Sequence, residues 1–267
     1  YTPTFNWTTN INVGYNQNTV LKETVAENST YPSREGYPVG AIFAYETAGL
    51  DEYGYPLYKT KDGRAVSAQE FFKLDKNGAS QLTAAEQREL YTYMGSADPI
   101  ISGGFINNFE YKNWTLNVNF TFNFGAKVRI QPSYSSLYFD RGLNTNHDIL
   151  NRWTSENKDT YLPTLMTQDG IHNSEILFYE NYSSFSMLDT WVKKLNYMRC
   201  QSIRLGYNFE GDWLTRLGVR SASVSLEGRN LFVIAGDYTN YLDPETMGNP
   251  YATPLPKSVI FSLNVNF

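Results

Sequence analysis

The 267-residue chain holds a single cysteine, Cys200, so it can build neither an internal disulfide framework nor a four-cysteine zinc site. Histidine is almost as scarce: His147 and His172 are the only two, both in a stretch read as surface loop. A metal pair or a triad needs partners that the sequence does not indicate. No G-x-S-x-G elbow, H-E-x-x-H pair or phosphate-cradling glycine loop occurs either. Catalysis is therefore not expected, and no cofactor or metal is implied. Long hydrophobic runs are missing too. The longest, "LFVIA" at 231–235, falls far short of the roughly 18 residues of a membrane-spanning helix. That excludes a helical membrane protein but not a membrane β-barrel, whose strands alternate and average out in hydropathy. A net charge of −5 without any Lys/Arg cluster argues against a nucleic-acid partner. The chain opens on "YTPTFNW", with neither a Met nor a basic stretch leading into an apolar one. The expectation is that a preceding part was removed or that this is a piece of something longer.

What the chain has in abundance is aromatic side chains, 16% of the total with 21 tyrosines, mixed with Asn, Thr and Ser. They fall into a two-residue rhythm, which means strands with one apolar and one polar face. In "FNWTTNINVGY" (5–15), Phe5, Trp7, Ile11, Val13 and Tyr15 share a side, opposite Asn6, Thr8, Asn10 and Asn12. "FINNFEYKNWTLNVNFTFNF" (105–124) reads as a hairpin turning at Lys112-Asn113. A two-residue turn pairs Tyr111 with Trp114 and Phe109 with Leu116, so both apolar stripes share a face. Asn107 interrupts the first stripe, and alternation supplies no reason for it. "QSIRLGYNF" (201–209), "VRSASVSLEGRNLF" (219–232) and "SVIFSLNVNF" (258–267) repeat the pattern. Its parity decays around Asn230-Leu231-Phe232, the mark of a bulge.

Six strands are expected, near 5–15, 103–111, 114–124, 197–209, 219–233 and 257–267. Their lengths suit tilted strands crossing a bilayer. Short connections (112–113 and 210–218) alternate with long ones (16–102, 125–196 and 234–256). Loops of that length count against a compact soluble domain, whereas brief periplasmic turns and long extracellular loops are the rule in outer-membrane barrels. Trp7, Tyr111, Trp114 and Trp213 fall at one set of strand ends, as an aromatic girdle requires. The fold class expected is all-β: a transmembrane antiparallel β-barrel segment with long extracellular loops and lipid as neighbour. A soluble β-sandwich with an aromatic core stays open on the pattern alone, as do a carbohydrate-binding module and a small self-contained barrel such as an adhesin or passive porin.

Several blocks resemble the SusC/RagA-like TonB-dependent transporters of the bacterial outer membrane. They are "YPVGAIFAYETAGLDEYGYPLYKTKDG" (37–63), "FEYKNWTLNVNFTFNFGAKV" (109–128), "DILNRWTSENKDTYLP" (148–163), "MRCQSIRLGYNF" (198–209), "VSLEGRNLFV" (224–233), "YLDPET" (241–246) and "PLPKSVIFSLNVNF" (254–267). They stand in the family's order and cover most of the chain, although Cys200 and the tyrosine-rich 31–58 segment are individual. The resemblance implies about six C-terminal strands of a 22-stranded barrel, the plug and N-terminal domains lying outside residues 1–267. It implies import of an oligosaccharide or peptide, a SusD-like surface lipoprotein as partner, and energy from the TonB complex. Phe261, Leu263, Val265 and Phe267 would form the terminal assembly signal of such barrels.

Two loop motifs have competing readings. "DKNGASQLTAAE" (75–86) places Asp75, Asn77, Thr83 and Glu86 at EF-hand ligand positions, but Ala79 and Ser80 stand where a ligand and a glycine are needed. The favoured alternative is a helix capped by Thr83 and Glu86, running into "QRELYTYM". The tyrosine-rich stretches "YETAGLDEYGYPLY", "YSSLYF" and "ILFYENYSSF" could stack on sugars or dock peptides. Packing within the loops or against a partner is the favoured reading.

Overall fold

The computed structural model describes residues 5–132, 134, 142, 144, 147–165, 184–236, 242–249 and 251–267. In chain order the strands begin with β1 (Asn6–Tyr15) and five short ones: β2 (Ala41–Ala44), β3 (Thr47–Leu50), β4 (Pro56–Lys59), β5 (Ala65–Val66) and β6 (Thr92–Ser96). Longer strands follow: β7 (Ile101–Tyr111), β8 (Trp114–Arg129), β9 (Val192–Phe209), β10 (Ser221–Arg229), the short β11 (Val233–Ala235) and β12 (Ser258–Asn266). Helices are brief: α1 (Ala68–Phe71), α2 (Ala84–Glu89) and α3 (Asp212–Arg216).

The long strands form one sheet in the order β1-β7-β8-β9-β10-β12, with β11 also on β9. Among the described residues its two outermost strands, β1 and β12, each pair on one side only, which leaves both edges of the sheet open. The Lys112-Asn113 turn sets the register of the central hairpin, and Tyr111 faces Trp114 while Phe109 faces Leu116. Lys112 adopts a φ of 52°, the left-handed conformation that tight hairpin turns require.

The segment expected as one strand at 219–233 is broken. β10 pairs with β9 down to Arg229 opposite Ser202, and pairing resumes with Val233 opposite Arg199. Three residues, 230–232, therefore oppose two, 200–201, and Asn230 takes a φ of 52° to absorb the extra one. The middle loop is also shorter than expected, because β8 and β9 run on to Arg129 and back to Val192. Burial changes along β8. Phe124 is exposed, whereas Ala126, Val128 and Ile130 are buried. Gly125, at φ 87°, stands at the change.

Two compact units result. One comprises Tyr1–Gln17, Asp98–Ala126 and Lys194–Phe267; the other comprises Asn18–Ala97 and Lys127–Lys193. The second is made of the two longest loops, and it has its own core. Tyr45, Tyr58, Phe71, Phe72, Leu74 and Leu188 are buried there. Its halves are joined through backbone and side chains. Tyr45 N–H donates to the Met187 carbonyl (2.9 Å) and Asp189 N–H to the Tyr45 carbonyl (3.0 Å). Asp189 also accepts from the Thr47 hydroxyl at 2.7 Å.

The motif at 75–86 folds as the capped helix. Thr83 Oγ1 accepts from Glu86 N–H (3.2 Å), and Glu86 Oε2 accepts from Thr83 N–H (2.8 Å). Asp75 Oδ1 is engaged by Asn77 N–H and Ala79 N–H in a turn. The carboxylates at the first and last EF-hand positions are thus both committed to backbone donors. The Thr83 backbone N–H, and after it the Thr83 hydroxyl, hold the Glu86 carboxyl below its ordinary pKa. A depressed folded value means that the cap stabilises α2 above the unfolded pKa and is lost as pH falls through the folded one. Hydrogen exchange at the Glu86 amide is expected to accelerate as pH falls below the ordinary glutamate range, after correction for intrinsic rates. Glu86→Gln should remove that dependence, and a profile shared by both forms would rule the cap out as its source.

Candidate functional site

The apolar face of the sheet is a continuous surface built by register. Leu205, Leu226 and Phe261 lie in one row, Tyr207, Val224 and Leu263 in the next, and Phe209, Ala222 and Val265 in the third. On the other half, Trp7, Phe109 and Leu116 align, as do Ile11, Phe105 and Phe120. No second sheet covers these side chains among the described residues. Trp7 is 63% exposed, Phe261 67% and Phe267 79%.

Asn107 finds its explanation across the strand pair. It faces Thr9, and its Oδ1 accepts from the Thr9 hydroxyl (2.6 Å) and the Trp7 indole N–H (3.1 Å). The polar interruption is thus a closed hydrogen-bonded island on the apolar face, where each group would otherwise seek water.

Of the four residues expected to form a girdle, Tyr111 and Trp114 flank the Lys112-Asn113 turn, Trp7 lies opposite Phe109 near that end of the sheet, and Trp213 lies on α3 between β9 and β10. Trp7 stacks on Phe109 (5.8 Å between centroids), and Tyr111 faces Trp114. Trp114 meets Tyr207 edge-on (4.8 Å), Tyr207 meets Phe209 (5.1 Å), and Phe209 meets Trp213 (6.1 Å). The Trp213 indole donates to the Glu210 carbonyl at 3.2 Å, which orients the ring on α3. Each of the four keeps about half or more of its surface exposed.

The opposite face is a network of neutral amides and hydroxyls. Asn117 Nδ2 donates to Asn108 (2.5 Å), Asn123 Nδ2 to the Tyr197 hydroxyl (2.6 Å), and Gln201 Nε2 to Thr121 (2.9 Å). Asn12 Oδ1 accepts from Gly104 N–H at 2.7 Å. One strong charge cluster joins the same unit. Arg199 is 2% exposed and engages Asp243, also buried, with its Nη2, while its Nε donates to Glu245 at 2.6 Å. Asp243 further accepts from Glu245 N–H (3.0 Å) and Leu255 N–H (3.1 Å). A guanidinium fork thus clamps the 242–249 loop to β9. Alternation did not expose this clamp, because its halves lie 44 residues apart.

In the loop unit, the first tyrosine-rich stretch is largely packed. Tyr45, Tyr55 and Tyr58 are buried, and Tyr53 is exposed. Tyr45 stacks on Tyr91 at 4.2 Å, and burial pushes the Tyr45 hydroxyl well above its ordinary pKa. His147 begins a short 3-10 turn at the surface. His172 and most of the other two tyrosine-rich stretches lie outside the described residues.

No family model matches the chain. Among curated proteins, it is 24% identical over 315 residues to TonB-dependent receptor P39 of Formosa agariphila, covering 98% of this chain and 28% of the relative. It is 22% identical over 284 residues to TonB-dependent receptor SusC of Bacteroides thetaiotaomicron, covering 99% and 24%. A solved structure of the RagAB peptide transporter superposes with a TM-score of 0.70 at 23% identity, covering 98% of this chain and 27% of its own. The chain spans about a quarter of the length of the curated relatives it matches. These relatives are named as receptors, not as enzymes. Along its whole length the chain thus resembles TonB-dependent receptors of the SusC type in sequence, and it shares the fold of the corresponding part of the RagAB transporter.

Proposed function

We propose that this chain forms the C-terminal wall and outer loops of an outer-membrane transporter that imports an oligosaccharide or peptide. The rest of that transporter completes the barrel and supplies the plug. A SusD-like lipoprotein assists capture at the loops, and the TonB complex supplies energy through parts outside this chain. The reading is carried by the apolar face, whose aromatic and aliphatic rows stand exposed opposite an amide-lined one. Lipid is the solvent that such a face suits. From Trp114 to Phe124 the strand advances ten residues, about 33 Å, which at the usual barrel tilt gives a height of about 25 Å. That matches the apolar band of outer-membrane barrels. The two open edges add support, since six strands leave unpaired N–H and C=O groups that further strands would satisfy. Likeness to a peptide transporter supports import as the activity.

Trp7, Tyr111, Trp114 and Trp213 then mark the periplasmic interface, where indoles and phenols sit between hydrocarbon and water. Phe261, Leu263, Val265 and Phe267 serve as the assembly signal on the terminal strand. Phe267→Ser is expected to lower the amount of folded transporter in the outer membrane several-fold, read by heat-modifiable mobility on gels of membrane fractions. A variant assembling at the normal level would remove that role from Phe267. The import reading itself is tested in cells carrying the whole transporter. Labelled oligosaccharide and peptide mixtures should be taken up in a TonB-dependent manner, and uptake should cease when the transporter is deleted. Unchanged uptake of every mixture after deletion would overturn it.

A further inference from the structure

The loop unit contains a cleft of about 630 Å³ that the wall reading leaves unused. Its floor is apolar: Val66 and Phe71 are buried, and Leu82, Leu90 and Tyr91 continue it. One side is the β4–β5 hairpin with α1, and the other is α2 leading into β6. The charged lining residues carry both signs and largely pair with one another. Lys59 pairs with Glu46, Arg64 with Glu70 at 3.1 Å, and Lys61 with Glu89 at 3.4 Å. Lys73 and Glu86 complete the lining charges, and the Lys73 charge acts on the Glu86 carboxylate. Four cations and four carboxylates therefore surround an apolar floor.

We propose that this cleft binds a short peptide, with an apolar side chain on the floor and the two charged ends at the rim. The assignment follows from complementarity. A phosphate or acidic sugar would meet four carboxylates, and a polyamine would meet four cations. A zwitterion with an apolar centre is matched at both ends. Neutral glycans are bound through open aromatic faces, and here the rings are turned inward. Phe71 stacks on Tyr58 (4.8 Å) and Tyr91 on Tyr45 (4.2 Å). The Lys61–Glu89 pair is suited to partner exchange, since both side chains are about three-quarters exposed and such pairs are weak. A ligand's carboxylate and ammonium can replace the two partners without stranding either charge.

This inference rests on the import reading for the ligand's destination, so binding and uptake are measured separately. The whole transporter, purified in detergent, is incubated with tripeptides that carry a central leucine and Lys or Glu at either end. Maltotriose is the competitor. Retained peptide is quantified after gel filtration. The expected result is retention that maltotriose does not displace, and a tenfold or greater loss in Thr92→Trp, which adds an indole to the cleft lining at an exposed position. Lys61→Glu should weaken peptides bearing Glu at the matching end, and Lys61→Glu/Glu89→Lys should recover part of the loss. Equal retention by the parent and both Lys61 variants, displacement by maltotriose, or no retention at all would each overturn the site. Retention without any cellular uptake would leave the site standing and count against import of that peptide.

Discussion

Replacing Arg199 with methionine is expected to free the 242–249 loop from the sheet. Methionine keeps most of the side-chain volume but removes the charge. Asp243, 9% exposed, would then be buried without a cation. Breaking one half of a buried ion pair costs about 3–5 kcal/mol, because the remaining charge has lost its water and its partner together. Asp243 cannot simply turn outward, since it also accepts the backbone N–H groups of Glu245 and Leu255. Leaving the protein interior would orphan both. The opening should appear as hydrogen exchange about a hundredfold or more faster over 242–255 in the whole protein, with β1 and β7 unchanged. Arg199→Lys should restore only part of the protection, because an ammonium lacks the fork that reaches Asp243 and Glu245 together. Parent-like exchange in Arg199→Met would mean that the loop is held by its own turns.

Gly54→Ala is expected to uncouple the two long loops. Gly54 has a φ of 84°, and a Cβ there would lie 2.5 Å from the Trp153 ring. The left-handed backbone costs a non-glycine residue about 1–2 kcal/mol, and forcing the indole away costs about 1–3 kcal/mol more. The Trp153 backbone cannot shift freely, since its main-chain N–H donates to the Leu162 carbonyl and Thr164 N–H donates to the Gly54 carbonyl, both at 2.9 Å. Amides of residues 51–56 and 153–164 should therefore exchange at least roughly thirtyfold faster. Cleavage of the loops by added protease should rise in parallel. Gly63→Ala is the control. It shares a φ of 84° but has open space around the added carbon, so it should show the backbone cost alone. Equal effects at both positions would remove the indole from the explanation.

The features legible in the sequence were those written over short distances. Alternation located the strands, the two-residue turn at Lys112-Asn113 set the register of its hairpin, and Thr83 with Glu86 three residues on marked a helix start. The parity fault at 230–232 was visible because a bulge shifts every following residue to the other face. What stayed hidden depends on partners far apart in the chain. Period two tells which face Asn107 occupies, but not that Thr9 and Trp7, 98 and 100 residues away, close its hydrogen bonds. Nor does it tell that Arg199 is buried against Asp243, or that Gly54 lies under Trp153. The loop core was obscured for a related reason. Composition favours packing for its tyrosines, but not the partner, since Tyr45 is joined to residues 187–189, more than a hundred positions later. The floor of the charged cleft is drawn from that same core.

The loop unit is discontinuous: its halves, Asn18–Ala97 and Lys127–Lys193, are interrupted by Asp98–Ala126, which belongs to the sheet. A chain emerging from its N-terminus therefore produces half a globule and must then lay down the β7–β8 hairpin before the other half exists. Neighbouring strands can zip locally and early, while the loop unit must wait for its second half. Its maturation becomes a checkpoint on strand order, and a half-built loop unit with uncovered tyrosines is the intermediate most open to misassociation.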